Sequence, residues 1–262
     1  MPHLAEVRRF GPNTVEVIVD GMFSAPRTVL RHSAGEAALD ALLARVSDED
    51  LRIPVNAFLL RGAAGVTLID AGCGTAWGEE FGGLRPALQE RDLLPAAVDR
   101  VILTHVHSDH ALGLLDGEEA YFPRAEVWVP GRDWQFFRDQ AERAAVPEHK
   151  RGGFDIAEQL ARAYAGRVRE IGPGEVLPGI KLEELPGHTP GHSGYRLEGP
   201  EGVLLILGDV LHFSRLQIDD PAVQTEWDVE GAVAEQTRRD VLARVEKNGW
   251  MVAGGHVEAG LL

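Results

Sequence analysis

Within the seven residues Thr104-His105-Val106-His107-Ser108-Asp109-His110 stand three imidazoles and one carboxylate. Neutral imidazole nitrogen and carboxylate oxygen are the ordinary ligands of zinc and its neighbours. A lone histidine is more often a surface group or a hydrogen-bonded core residue. Four such groups directly after the apolar run Val101-Ile102-Leu103 are different, because burying them without a cation leaves several polar groups to satisfy. The cluster therefore points to metal binding.

The elements that must position this cluster supply further candidates. Apolar runs read as strands at 66–69, 98–103, 180–185, 203–207 and 250–253. The first runs into Asp70 and the second into His105. The third is followed by Pro186-Gly187-His188, the fourth by Gly208-Asp209 and the fifth by Gly254-Gly255-His256. Strand ends are rigidly placed while the loops beyond them are free to present chemistry. One common sheet edge would gather all these groups. Taken singly, Asp70 or Asp209 reads as a turn aspartate, and His188 as a turn residue among Pro186-Gly187 and Thr189-Pro190-Gly191. His192 is expected to support the site or to be incidental, and His3, His32 and His149 to sit in solvent.

The remaining pattern is mixed. Val15, Val17 and Val19 alternate with polar neighbours as in a half-buried strand, which Asp20-Gly21 can turn, leaving Phe23 on an exposed loop. Ser33 and Glu36 have capping-box spacing ahead of a helix ending near Ser47. Further strands are expected at 55–60, 126–129 and 194–197, and helices at 81–91, around Trp134, at 154–164 and after Asp228. That last helix is capped by Asp228, turns Val233, Val241 and Val245 inward and stops at Asn248-Gly249. Segment 138–151 reads as an exposed connection and 211–227 as irregular chain.

At 262 residues and 44% hydrophobic, the chain can bury a substantial core, and we expect one domain over 1–262. A net charge of -15 argues against nucleic acid and against an anionic membrane surface. The single cysteine, Cys73, forms no intramolecular disulfide and suits a reducing compartment. It has no adjacent base to activate it and reads as a small residue in a glycine turn. No apolar stretch has the length of a signal core or a membrane span, so a cytoplasmic soluble protein is the expectation.

His105-Val106-His107-Ser108-Asp109-His110, followed in order by His188, Asp209 and His256, resembles the full ligand set of the metallo-β-lactamase-fold hydrolases. Asp70, in Leu68-Ile69-Asp70-Ala71-Gly72, matches that superfamily's first motif. The resemblance covers nearly the whole chain. It implies an α/β fold, a four-layer αββα sandwich with the site along one edge of the paired sheets. It also implies two divalent metal ions, with zinc first and manganese, cobalt or iron as other occupants. By the same resemblance His105, His107 and His188 hold one ion, Asp109, His110 and His256 the other, and Asp209 bridges them. Asp70 fixes a ligand without binding metal. Water between two such ions loses a proton near neutral pH and becomes the nucleophile, with Asp109 as proton shuttle.

Within the superfamily, β-lactamases proper generally lack a bridging aspartate, whereas Asp209 is present. Glyoxalase-II-like thioester hydrolases share the stretch from Gly187 to His192 but add a helical C-terminal domain, and only six residues follow His256. The chain is most similar to the branch of N-acyl-homoserine lactonases and methyl-parathion-hydrolase-like phosphotriesterases. Lactonases there carry tyrosine three residues after the bridging aspartate; here His212 stands in that place and is a candidate to orient substrate or steady an oxyanion. The expected reaction is cleavage of an ester-like bond in a small molecule, a lactone or a phosphotriester. A thioester hydrolase and a mononuclear-iron oxidoreductase resembling sulfur dioxygenases are the alternatives. Phe23, Trp134, Phe136, Phe137, Phe213 and Trp227 are candidates for an apolar pocket wall; helix residues such as Phe136 are better read as core, and Phe23 and Phe213, in loops, have the better claim. The resembling families include dimers, so a homodimer is one assembly the resemblance allows.

Overall fold

The structure, a computed structural model, describes residues 7–258. A seven-stranded sheet runs in the order Arg8–Phe10, Asn13–Ser24, Arg52–Gly62, Gly65–Ile69, Arg100–Ile102, Glu126–Pro130 and Val168–Ile171. Its first four strands pair antiparallel and the rest join parallel. A five-stranded sheet follows the order Gly174–Leu177, Ile180–Glu184, Ser193–Gly199, Gly202–Ile206 and Met251–Ala253, parallel only at its last pair.

Successive residues of these strands enter different cores, as a period of two requires. Leu68, Val101 and Val127 pack with Leu84, Leu88, Phe154 and Leu160, which come from the helices Leu84–Gln89 and Gly152–Ala163. One residue further on, Ile69, Ile102 and Trp128 face Ile180, Tyr195, Leu197 and Ile206 of the second sheet. Beyond that sheet, Leu205 and Leu207 join Val241 of the helix Gly231–Asn248. Helix, sheet, sheet and helix are thus stacked as the αββα sandwich expected. Burial on both faces also explains why 101–103 and 203–207 read as unbroken apolar runs.

Several local expectations are corrected. Asp20-Gly21 is not a turn: it lies inside Asn13–Ser24, where the register with Arg52–Gly62 slips between Val19 and Gly21. The Asp20 carboxylate instead accepts hydrogen bonds from the Cys73 and Leu84 backbones, at 2.8 and 3.0 Å. Phe23 is consequently a half-buried strand residue paired with Ile53. No capping box forms at Ser33, because the helix Glu36–Leu43 starts from Gly35 without a side-chain cap. The helix Gly231–Asn248 likewise starts at Glu230, since the Asp228 carboxylate is engaged elsewhere, and Val233 is 39% exposed.

Segment 211–227 is ordered, not irregular: it contains the helix Ser214–Asp219 and the strand Val223–Thr225, which pairs with Leu30–His32. That pairing leaves no local periodicity, because its partner lies far away in the chain. His32 is half-buried with its Nε2 3.1 Å from Asp220 Oδ2, not in solvent, while His149 is exposed. His3 lies outside the described residues.

Candidate metal centre

The loop after Arg100–Ile102 carries His105 and His107, and the one-turn helix Ser108–Ala111 carries Asp109 and His110. His188 follows the strand Ile180–Glu184, Asp209 follows Gly202–Ile206, and His256 follows Met251–Ala253. These strand ends meet at one place. One ligand atom from each of His105, His107 and His188 lies within 4.8 Å of the others, and the same holds for Asp109, His110, Asp209 and His256. Asp209 Oδ2 is 3.8 Å from His105 Nε2, 3.4 Å from His188 Nε2 and 3.2 Å from His256 Nε2. Asp209 Oδ1 is 3.2 Å from His110 Nε2, so this carboxylate touches both sets. The approach needs Gly255, where an added Cβ would stand 2.5 Å from Asp209 Oδ1 and 2.7 Å from the His110 ring.

Outer hydrogen bonds set the imidazole tautomers. His110 Nδ1 donates to Asp70 Oδ2 at 2.8 Å, His188 Nδ1 to Asp228 Oδ1 at 3.0 Å, and His256 Nδ1 to the Pro54 carbonyl at 2.8 Å. The Thr104 hydroxyl donates to Asp70 Oδ2 at 2.8 Å, which leaves its oxygen to accept from His105 Nδ1 at 3.0 Å. With the outer nitrogens protonated, the inner ones are those that can offer a lone pair once a second proton leaves, as metal-binding imidazoles require. His105 Nε2, His110 Nε2 and Asp209 Oδ1 are buried without a hydrogen-bond partner among the described residues. Orphaned acceptors at this density cost several kcal/mol of roughly 1–3 each unless something binds them. The donor set fits divalent cations.

The electrostatics lead to the same place. Burial holds the His105 imidazolium well below its ordinary range and the His107 imidazolium at about 3. At His256 burial opposes charge too, but Asp209 and Asp109 outweigh it and push that imidazolium up to about 10. His110 is raised in the same way by Asp209, Asp70 and Asp109. Burial disfavours ionised Asp109 and Asp209, yet the neighbouring His110 and His256 hold both below the usual carboxylate range. Positive charge is thus wanted between these groups, and protons compete with metal for it.

Asp70 is fully buried and binds the Thr104 backbone as well, at 2.8 Å, so it joins the loop to His110. His192 is a brace: its Nε2 accepts from the Asp209 backbone at 2.9 Å and its Nδ1 donates to the Leu185 carbonyl at 2.7 Å. His212 lies against the cluster, its Nε2 3.3 Å from Asp209 Oδ2 and its ring stacked on His256 at 5.3 Å. His212 also forms a third possible ligand group with His188 and Asp228. Phe213, expected in a pocket wall, is instead 1% exposed and packs with Val29, Leu30 and Val223 in a core beneath the site. Half-buried Trp227 touches His212, Phe213 and Phe23, with ring centroids 5.2, 5.9 and 6.1 Å away.

Three buried groups around the cluster have no sequence signal. Asp228 mimics a helix cap but holds His188. Arg238, fully buried, donates to the carbonyls of Val210, Pro221 and Val223 and so ties down the chain after Asp209. Asp133 accepts from the Val106 backbone at 2.7 Å and from the Thr189 hydroxyl. Burial pushes its carboxyl up to about 6 despite those bonds.

Known proteins carry related chains. The Bacillus subtilis (strain 168) protein YobT is 31% identical over 160 residues, 60% of this chain and 61% of its own, so the chain spans under two thirds of that relative. An N-acyl homoserine lactonase of Bacillus thuringiensis is 24% identical over 244 residues, 85% of this chain and 87% of its own. Among solved structures, the hydrolase AbOPH in the beta lactamase superfamily superposes with a TM-score of 0.85 at 25% identity, covering 98% of this chain and 91% of its own. The dizinc quorum-quenching lactonase AidC, in complex with N-hexnoyl-L-homoserine, gives a TM-score of 0.82 at 18% identity, covering 96% of this chain and 90% of its own. The sequence profile of the Metallo-beta-lactamase superfamily matches residues 51–256, the span holding every group of the cluster, and the chain therefore belongs to that superfamily.

Proposed function

We propose that this protein is a two-metal hydrolase, working as one domain, that cleaves an ester-like bond in a small molecule, a lactone or a phosphotriester. The observation that carries this reading is the pair of preformed ligand sets joined by Asp209, with buried acceptors on His105, His110 and Asp209 awaiting a cation. His105, His107 and His188 would hold one ion, and Asp109, His110 and His256 the other, with Asp209 shared. Zinc suits the imidazole-rich donors, and the dizinc lactonase AidC has the same fold. When bound, such ions supply Lewis acidity and lower the pKa of water.

The chain's own residues do the rest. Asp109 is the least buried carboxylate of the cluster, with its side chain 14% exposed, and its Oδ2 is 3.3 Å from His256 Nε2. It can take a proton there and return it to the leaving group. His212 lies beside the shared carboxylate, its Nε2 3.3 Å from Asp209 Oδ2, where its ring can orient a substrate. The ligand atoms of the four-residue set, like those of the three-histidine set, lie within 4.8 Å of one another, which supports two ions over a single iron. Among the described residues no helix is long and apolar enough to cross a membrane. We place the protein in the cytoplasm, where its one thiol, buried Cys73, stays reduced.

The test is turnover of metal-replete protein on lactones, thioesters and a paraoxon-type phosphotriester, beside measured metal content. About two ions per chain and hydrolysis of a lactone or phosphotriester are expected. Asp209→Asn should lower occupancy and turnover together. Full activity with both ions retained in that variant would remove Asp209 from its shared role.

A further inference from the structure

We propose that Asp133 is a positioning residue that sets the spacing of the three-histidine ligand set, an inference that rests on the metal-centre reading. His105 and His107 lie on one loop and His188 on another, far apart in sequence, and no backbone pairing joins His107 to His188. Asp133 reaches both loops. One of its oxygens accepts from the backbone N–H of Val106, the residue between His105 and His107, at 2.7 Å. The other accepts from the hydroxyl of Thr189, the residue next to His188. Both Asp133 and Thr189 are fully buried, so neither bond competes with water. The loops close around this carboxylate, and His107 Nδ1 comes to 2.9 Å from His188 Nε2.

Packing fixes the same distance a second time. Gly191, two residues past Thr189, lies so close to Asp133 that an added Cβ would stand 2.0 Å from the Asp133 backbone nitrogen. The loop bearing His188 is therefore pressed against the residue whose side chain grips the loop bearing His107. The second ligand set has different supports. Asp70 holds His110 and the Pro54 carbonyl holds His256. Asp133 touches neither, so its loss should loosen one set and spare the other.

The experiment titrates Zn(II) into the metal-free full chain by calorimetry and records Co(II) absorption spectra of wild type, Asp133→Ala, Asp133→Asn and Thr189→Val. Wild type should take up two ions per chain. In Asp133→Ala, affinity for one ion should fall about 10–100-fold, the usual effect of removing a partner that orients ligands. The spectral loss should match that of His107→Ala, with the other ion held as in wild type. Asp133→Asn, retaining one acceptor oxygen, and Thr189→Val, losing one donor, should give smaller losses of the same ion. They decide the matter if Asp133→Ala does not fold. Unchanged affinities, or equal weakening of both ions alongside a lower melting temperature, would overturn the positioning role. A wild-type chain that takes up no divalent ion would instead overturn the metal-centre reading itself.

Discussion

Replacing Asp70 by Asn separates the support of a proposed ligand, His110, from the ligand itself. Asp70 receives three hydrogen bonds, each at 2.8 Å: from the Thr104 backbone to Oδ1, and from the Thr104 hydroxyl and His110 Nδ1 to Oδ2. An amide of the same shape must put its NH2 at one of those oxygens. At Oδ1 it would oppose a backbone N–H that cannot change. At Oδ2 it meets a hydroxyl that can rotate and an imidazole that can change tautomer, so this orientation wins. His110 then carries its proton on Nε2, the atom that faces Asp209 from 3.2 Å. The φ of +59° at position 70 adds no penalty, because asparagine visits that region as readily as aspartate.

The fold should lose about 1.5–3 kcal/mol, the worth of one hydrogen bond to a charged acceptor. Affinity for the ion on the His110 side should drop about 10–100-fold, or about 1.4–2.7 kcal/mol. Calorimetric Zn(II) titration with urea unfolding of the metal-free protein measures both quantities. An Asp70→Asn protein that binds two ions with wild-type affinity would refute the tautomer reasoning.

Other outcomes follow from buried groups. His212→Ala should cut turnover while both ions stay bound; loss of an ion would make His212 a ligand, as its grouping with His188 and Asp228 allows. Arg238→Met strips the donors from the carbonyls of Val210, Pro221 and Val223 and should cost about 3–5 kcal/mol in urea unfolding; a loss under about 1 kcal/mol would contradict this. Burial pushes the Tyr164 phenol from 10.0 up to about 12, so the neutral form is favoured in the fold. Its stabilisation, roughly 3 kcal/mol, is complete below pH 10 and lost as pH rises toward 12. Tyr164→Phe, less stable than wild type at pH 8, should overtake it across that window in pH-dependent unfolding. Burial likewise holds the Cys73 thiol well above its ordinary range, so a disulfide reagent at pH 8 should modify it only after denaturation.

Much of the site was visible in the chain because strand ends are marked by local signals. An apolar run followed by a small residue and a side chain able to bind metal recurs at His188, Asp209 and His256, and the structure brings all three to the 105–110 loop. The orienting groups were not visible. Asp228 has the look of a helix cap, and Asp133 that of an ordinary polar residue near Trp134; nothing local distinguishes a carboxylate that grips a remote loop. Phe213 fell to the core because its neighbours Leu30 and Val223 come from a strand pair absent from any local pattern, with Val29 in the turn just before it.

Amino-acid order alone marked the strand ends and the candidate ligands that follow them, since periodicity and residue chemistry act over a few neighbours, while the paired-sheet sandwich was what the family resemblance implied. Only the folded chain decided which nitrogen of each imidazole faces inward, how Asp209 comes to touch both sets and which buried carboxylates brace the loops. Those features depend on distances of about 3 Å between residues remote in sequence, set when the sheets pack and close off water.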